Sequence, residues 1–351
     1  MRKPYRKNHV LLVSPTDAAV LYLSQFMVVT LNGISKIYGT KPALDDVHLG
    51  VDQGDIVSII GPSGAGKTTL LKIIAGIEHP DGGAVLYDSP PSKSNPVILV
   101  FQDYILFPNL TVFENVAFGL RARKIRGSEL RGRVCAFLET FGIPDKAESY
   151  PNQLSAGQKQ RVAIARAMVV GPSILLLDEP FANLDKGLKM ETAEFIRTTQ
   201  KRFGITTLAV THDLEEAFAM SDKIGIMLQG KLTQFDRVEE IYFNPASYQV
   251  ARFLGPVNTI PRRLFGRIRV EEPIPPGVDT VFARAEALLI EPDEAGPGVV
   301  TDVCFIGLMI LYRVRIAEVD LSVYSLMNSV RKGDRVRVTL CKFFRDRGGE
   351  G

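Results

Sequence analysis

Residues 61–69 read Gly-Pro-Ser-Gly-Ala-Gly-Lys-Thr-Thr, directly after the apolar run Ile56-Val57-Ser58-Ile59-Ile60 and directly before Leu70-Leu71-Lys72-Ile73-Ile74. This is G-x-x-x-x-G-K-[ST] between a strand and a helix, the context in which the pattern has a mechanism. Glycines let the backbone curl until successive N–H groups point into one concavity, and the helix N-terminus adds its partial positive charge. Taken alone, the nine residues could be a glycine-rich turn with an exposed lysine. The flanking strand and helix favour a triphosphate cradle formed by Gly61, Pro62, Ser63, Gly64, Ala65, Gly66, Lys67, Thr68 and Thr69. Lys67 would reach the β- and γ-phosphates, and the Thr68 hydroxyl would hold Mg²⁺.

A chain of 351 residues is long enough for two domains, each with its own core. A net charge of +3 gives no argument for nucleic acid. The cluster Arg121, Arg123, Lys124, Arg126, Arg131 and Arg133 reads as a solvated helix face. Cys135, Cys304 and Cys341 form no C-x-x-C, so neither a disulfide framework nor a zinc site is indicated. No run of 18 apolar residues occurs, so no membrane span is expected. Residues 1–26 faintly imitate a secretory leader, but Pro15, Thr16 and Asp17 interrupt the apolar stretch. The first strand is expected to begin at Met27-Val28-Val29-Thr30-Leu31, and residues 1–26 to be a dispensable extension or to precede a true start at Met27.

From Met27 to about Pro256, strand-like apolar runs alternate with amphipathic ones, the pattern of a mostly parallel α/β sheet. Strands are expected over residues 55–61, 97–101, 173–178, 206–210 and 223–228, and helices over 67–77, 157–170, 186–203 and 214–220. Residues 103–153 are mainly helical in pattern and read as a subdomain inserted in the α/β core. Beyond residue 257 Gly and Pro become dense between short β-rich runs at 281–283, 299–305, 310–316 and 335–340. That texture predicts a small β-barrel domain over 258–351.

Ile174-Leu175-Leu176-Leu177 ends in the acids Asp178 and Glu179. Open α/β sheets bind ligands at the C-terminal ends of their strands. With the phosphate loop upstream, Asp178 would hold Mg²⁺ and Glu179 would polarise an attacking water as general base. Ser155 and Gln158, three residues apart before an amphipathic run, are spaced as a capping box. The same helix start, with a Ser hydroxyl and Gly N–H groups, could equally bind an anion.

Leu154-Ser155-Ala156-Gly157-Gln158, some twenty residues before Leu-Leu-Leu-Asp178-Glu179-Pro180, resembles the signature sequence of ATP-binding-cassette (ABC) ATPases. Other elements of that family appear in order. Gln102 resembles the Q-loop glutamine, Asn183-Leu184-Asp185 the D-loop, His212 the switch histidine, and Tyr38 the aromatic that stacks on adenine. The resemblance spans residues 27–255. It implies catalytic roles for Glu179, His212 and Gln102, with Gln102 joining Thr68 and Asp178 around Mg²⁺. Gln102 would also report the γ-phosphate to the helical subdomain that it begins. His212 would donate to the γ-phosphate; unaided, it reads as a loop residue ahead of an Asp213/Glu216 capping box. Tyr38 could as well be a packing residue. Ala156 and Ala182 depart from the commoner Gly and Ser of the family, the second putting one contact between subunits in doubt.

The resemblance further implies a head-to-tail dimer, most simply a homodimer, in which Ser155, Gly157, Gln158 and Asp185 of one subunit close over ATP held by the other. The chain would work with separate transmembrane permease subunits and an extracytoplasmic substrate-binding protein, peripherally on the cytoplasmic face of the membrane. Residues 101–116 resemble the segment of importer ATPases that receives a permease helix, with Leu106, Phe107 and Phe113 as the socket; a helical-subdomain core is the alternative. The tail resembles the OB-like domain of importer ATPases for sugars, polyamines, iron, sulfate and molybdate. Phe107-Pro108 with Thr111–Asn115 leans towards polyamine and iron importers, and 253–258 towards sulfate-type importers. A non-transport cassette ATPase is the remaining alternative.

Overall fold

The computed structural model describes residues 27–182 and 186–346. The extension 1–26 and the segment Asn183-Leu184-Asp185 lie outside the described residues. The described chain divides into two compact units, one running to Asp222 with Gln229–Lys231, the other comprising Lys223–Leu228 and the chain from Leu232 onward.

The first unit opens with β1 (Met27–Tyr38) and β2 (Lys41–Asp52), an antiparallel pair extended on the other side of β1 by β4 (Gly82–Tyr87). The alternating pattern does not announce this sheet, because the register shifts at several points along β1. Each shift turns side chains to the other face and breaks the two-residue period. Between β2 and β4 in sequence come β3 (Ile56–Ile60), a strand of a separate sheet, and α1 (Lys67–Ile74).

β5 (Val97–Val100), β6 (Ile174–Asp178), β7 (Thr206–Thr211) and β3 form four neighbouring parallel strands in the spatial order β5-β6-β7-β3. Every residue of β3, β6 and β7 is buried. Strands covered on both faces read as continuous apolar runs, which is why they were legible. β7 is later than β6 in sequence yet lies between β6 and β3, so the C-terminal ends of all three strands stand side by side. Asp178 is opposite Val210, and Ile60 is opposite Thr211.

No strand occurs between β5 and β6. That stretch holds α2 (Val112–Ala122), α3 (Gly127–Thr140) and α4 (Ala156–Met168). α2 begins with a complete capping box between Thr111 and Glu114, worth about 1 kcal/mol. Its buried face, Val112, Val116, Ala117 and Leu120, joins Val134, Leu138, Phe141 and Ile164 in one core. α5 (Lys186–Phe203) and α6 (Leu214–Met220) complete the unit.

The second unit contains β8 (Lys223–Leu228), β9 (Lys231–Arg237), α7 (Val238–Phe243) and α8 (Tyr248–Leu254) ahead of its β-rich part. There β10 (Val257–Pro261) pairs with β12 (Thr280–Arg284). A separate curled sheet follows the order β11-β17-β14-β15-β16, with β13 also on β17. Its strands are β11 (Arg269–Val270), β13 (Leu288–Pro292), β14 (Gly298–Phe305), β15 (Ile310–Ile316), β16 (Val319–Ser325) and β17 (Arg335–Leu340). β15 alternates buried and solvated positions, placing Ile310, Tyr312, Val314 and Ile316 inward beside Leu321, Val323, Val336 and Val338. Each such side chain contributes about 1.5–3 kcal/mol on burial. The sheet is open in its pairing, a half-barrel. Asn258 ties β10 to β16 by donating Nδ2–H to the Ser322 carbonyl at 2.8 Å and accepting the Ser322 N–H at 2.7 Å.

Candidate active site

The phosphate loop leaves the buried end of β3 and turns at Gly64 and Gly66, whose φ values are +80° and +97°. Only glycine enters that region without strain. Gly66 is the N-cap of α1 and offers no side-chain acceptor, so the first helical N–H groups have no side-chain cap. Unpaired donors at a helix start are an anion site. The loop and Tyr38 line a cavity of about 340 Å³, which Lys41, Pro42 and Ala43 also border. Tyr38 is half exposed, and its hydroxyl donates to Glu78.

Lys67 is buried within this loop, its Nζ donating to the Gly61 carbonyl at 2.8 Å and the Pro62 carbonyl at 3.2 Å. Burial pulls its ammonium below the ordinary lysine range, while the carboxylates of Glu179 and Asp178 oppose that shift. Thr68 donates its hydroxyl to Asp178 Oδ1 at 3.0 Å. Burial raises the Asp178 carboxyl above its ordinary value, and the Thr68 bond pulls the other way.

One residue past β6, Glu179 has φ +47° and its N–H donates to the Val210 carbonyl at 2.9 Å. Its Oε2 lies 2.8 Å from Nδ1 of His212. An ionised carboxylate only accepts, so this contact places the ring proton on Nδ1 and leaves Nε2 outward. Lys67, Thr68, Asp178, Glu179 and His212 thus converge at the ends of three adjacent strands.

Residues 44–182 match the family model for the ABC transporter. The chain is 43% identical over 236 residues to the spermidine/putrescine import ATP-binding protein PotA of Haemophilus influenzae, covering 66% of this chain and 63% of that protein. It therefore spans just under two thirds of that relative's length. It is 45% identical over 254 residues to the sulfate/thiosulfate import ATP-binding protein CysA of Bacillus cereus, covering 70% of this chain and 71% of the relative. The chain belongs to the ABC transporter ATP-binding protein family. Among solved structures it resembles the dimeric ATP-binding cassette MJ0796 in a post-hydrolysis state bound to ADP and Pi. That match has a TM-score of 0.53 at 33% identity and covers 60% of this chain and 98% of the other.

Gln102, Ser155 and Gln158 of this ABC family member make no hydrogen bond to the cluster among the described residues. Gln102 is exposed just beyond β5 and makes no side-chain hydrogen bond among the described residues. Ser155 caps α4, accepting the Gln158 N–H at 3.3 Å while Gln158 Oε1 accepts the Ser155 N–H at 3.0 Å. Within one chain the capping arrangement is what Ser155 and Gln158 form, and no hydrogen bond joins them to Lys67 or Glu179. Gly157 packs against Leu188, where a Cβ would come within 3.2 Å of Cδ2.

Two expectations need correction. Asp213 does cap α6 through the N–H groups of Glu215 and Glu216, but the Glu216 side chain does not close a box. It turns inward instead, to Thr211 and Lys189. The supposed socket also differs: Leu106 is buried, and Phe113 packs against the core. The exposed apolar set is Phe101, Ile105, Phe107 and Phe118, around a groove of about 420 Å³.

Sequence reasoning missed three residues. Lys189 carries no local signal, since its partners lie 24 and 27 positions away in sequence. Arg166 lines the groove, donating to the Ile105 carbonyl at 2.7 Å with its guanidinium 5.2 Å from the Phe107 ring centroid. Tyr104 has φ +44°, is buried, and its hydroxyl has no hydrogen-bond partner among the described residues. Burial raises its phenol far above the ordinary value, helped by the charges of Glu216 and Glu179.

Proposed function

We propose that this chain hydrolyses ATP in a dimer and drives import of a small solute through separate permease subunits. One observation carries the reading. The Thr68–Asp178 pair lies at the foot of a glycine loop, with the Glu179–His212 pair at the ends of the neighbouring strands. Residues 27–257 form the ATPase cassette in this reading, 103–153 its helical subdomain and 258–351 an appended OB-like regulatory domain.

Tyr38 offers its ring to adenine at the cavity mouth. The α1 N–H groups and Lys67 bind the phosphates, and a triphosphate oxygen replaces the carbonyl partners of Lys67. A hydroxyl and a carboxylate oxygen 3.0 Å apart suit Mg²⁺, which takes oxygen ligands and pairs one or two carboxylates with substrate phosphates. Thr68 and Asp178 would hold it, with Gln102 joining, and the ion would supply positive charge against the phosphate oxygens. Glu179 accepts a proton from the attacking water. His212, held by Glu179 through Nδ1–H, donates from Nε2–H to the γ-phosphate when the ring is protonated to the imidazolium. Ser155, Gly157, Gln158 and Asp185 act on the nucleotide of a second copy. Among the described residues the Ser155 and Gln158 side chains bond only to each other's N–H groups, which supports this for the helix start.

The permease docks in the groove of Phe101, Ile105, Phe107 and Phe118, and the assembly includes an extracytoplasmic binding protein. No helix among the described residues is long and apolar enough to cross a membrane. In this reading the chain acts peripherally, on the cytoplasmic face of the membrane. Relatives named for polyamine and for sulfate import stand at 43% and 45% identity, so the cargo belongs to one of those two classes.

Glu179→Gln tests the reading. ATP binding should persist, turnover should stop, and an ATP-bound dimer should accumulate in size-exclusion chromatography. Normal turnover in that variant would remove the general base from Glu179.

A further inference from the structure

Behind the Glu179–His212 pair is a buried carboxylate that the mechanism above does not use. Glu216, on the first turn of α6, is 3% exposed. Its Oε2 accepts the Thr211 hydroxyl at 2.6 Å, and its Oε1 accepts from Lys189 Nζ at 2.8 Å. The same Thr211 oxygen accepts the Asp213 N–H at 3.0 Å, and Asp213 Oδ2 meets Lys189 Nζ at 3.3 Å. Residues 211 and 213, the two neighbours of His212, are therefore both fastened to one carboxylate–ammonium pair. His212 itself is exposed and touches only Glu179 in this network.

We propose that Glu216 is a positioning residue for His212. By gripping Thr211 and Lys189 together, it fixes the backbone on both sides of the imidazole, so that Nδ1–H stays on Glu179 and Nε2 faces the reacting phosphate, to which it donates once the ring takes up a second proton. Lys189 is the second half of the clamp. It stands on α5, four residues beyond Asp185 in sequence, and so ties the histidine loop to the helix that follows the D-loop. An acid kept merely to anchor α6 would need only the helix N–H groups, which Asp213 already accepts. This inference rests on the ATPase reading and deepens it.

The test uses the purified full chain. Steady-state ATPase kinetics are paired with ¹⁵N–¹H spectra of the imidazoles, the His212 signal being identified by its loss in His212→Ala. In Glu216→Gln, kcat should fall about 10- to 100-fold, the scale expected for a misplaced catalytic group. KM should change by less than about two-fold, since ground-state binding is untouched. The His212 ring should pass from the Nδ1–H tautomer to a mixture. Lys189→Gln, at a partly exposed position, should act in the same direction and stands in if Glu216→Gln does not fold. Unchanged kcat, or a fall in kcat with the Nδ1–H tautomer retained, overturns the proposal. If the wild-type chain shows no turnover, the ATPase reading fails, and the tautomer of His212 still decides the positioning role.

Discussion

A Cβ built on Gly66 would stand 2.3 Å from the carbonyl oxygen of Ala43, a separation no real side chain occupies. The helix start, the strand beside it and the phosphate loop are thereby packed backbone to backbone. Gly66→Ala adds that clash to a φ of +97°, so nucleotide affinity should fall more than ten-fold, and stability by about 1–3 kcal/mol. Gly76→Ala is the matched control, with φ +69° and nothing within 4 Å. Calorimetric titration with nucleotide and thermal unfolding of both variants would separate packing from backbone strain; equal effects would contradict the close approach.

Asp178 gives a pH dependence with a definite sign. Burial holds its folded pKa above the ordinary 3.8, so the folded state binds this proton more tightly than the unfolded chain does. Its contribution to stability is complete below 3.8 and is lost as pH rises through the raised folded value. Asp178→Asn should therefore raise the melting temperature of the nucleotide-free protein at pH 7 more than at pH 3. The same variant should lose the Mg²⁺ dependence of nucleotide binding. A variant less stable than wild type at pH 7 would show that the carboxylate is better paired than its surroundings indicate.

Tyr104→Phe removes a buried hydroxyl that has no partner among the described residues. Leaving such a group unsatisfied costs about 1–3 kcal/mol, so the variant should be as stable as wild type or more stable by up to about that amount. Chemical denaturation measures this directly. A loss of more than about 1 kcal/mol would mean that the hydroxyl has found a partner.

Phe118→Ser and Ile105→Glu change exposed positions on the groove without touching the nucleotide cluster. Both should weaken co-purification with a permease while leaving nucleotide affinity as in wild type. Undiminished co-purification would move the docking surface elsewhere.

The elements most legible in the chain were those whose environment is uniform. β6 and β7 are buried on both faces and show as apolar runs, and α5 and α6 fall where their periodicity puts them. β16 was not anticipated, because its turn from β15 uses Ala317 with φ +52° and no Gly, Asn or Pro. Of the antiparallel β1-β2-β4 sheet only the start of β1 at Met27 was legible; the rest was hidden by its register shifts.

Within the site, the phosphate loop is contiguous, so its glycines, lysine and threonine declare themselves by spacing alone. That a strand would deliver Asp178 and Glu179 also followed from local pattern. The partners did not. Glu179 meets His212 across 33 residues because β6 and β7 are adjacent parallel strands whose ends the chain keeps apart, and Lys189 meets Glu216 across 27 because α5 packs against α6. Local sequence determined which chemistry the loop could carry, since backbone curvature and a helix start need only neighbours. Tertiary structure alone decided which acid orients the histidine and which is buried behind it, since burial and pairing depend on which strand lies beside which.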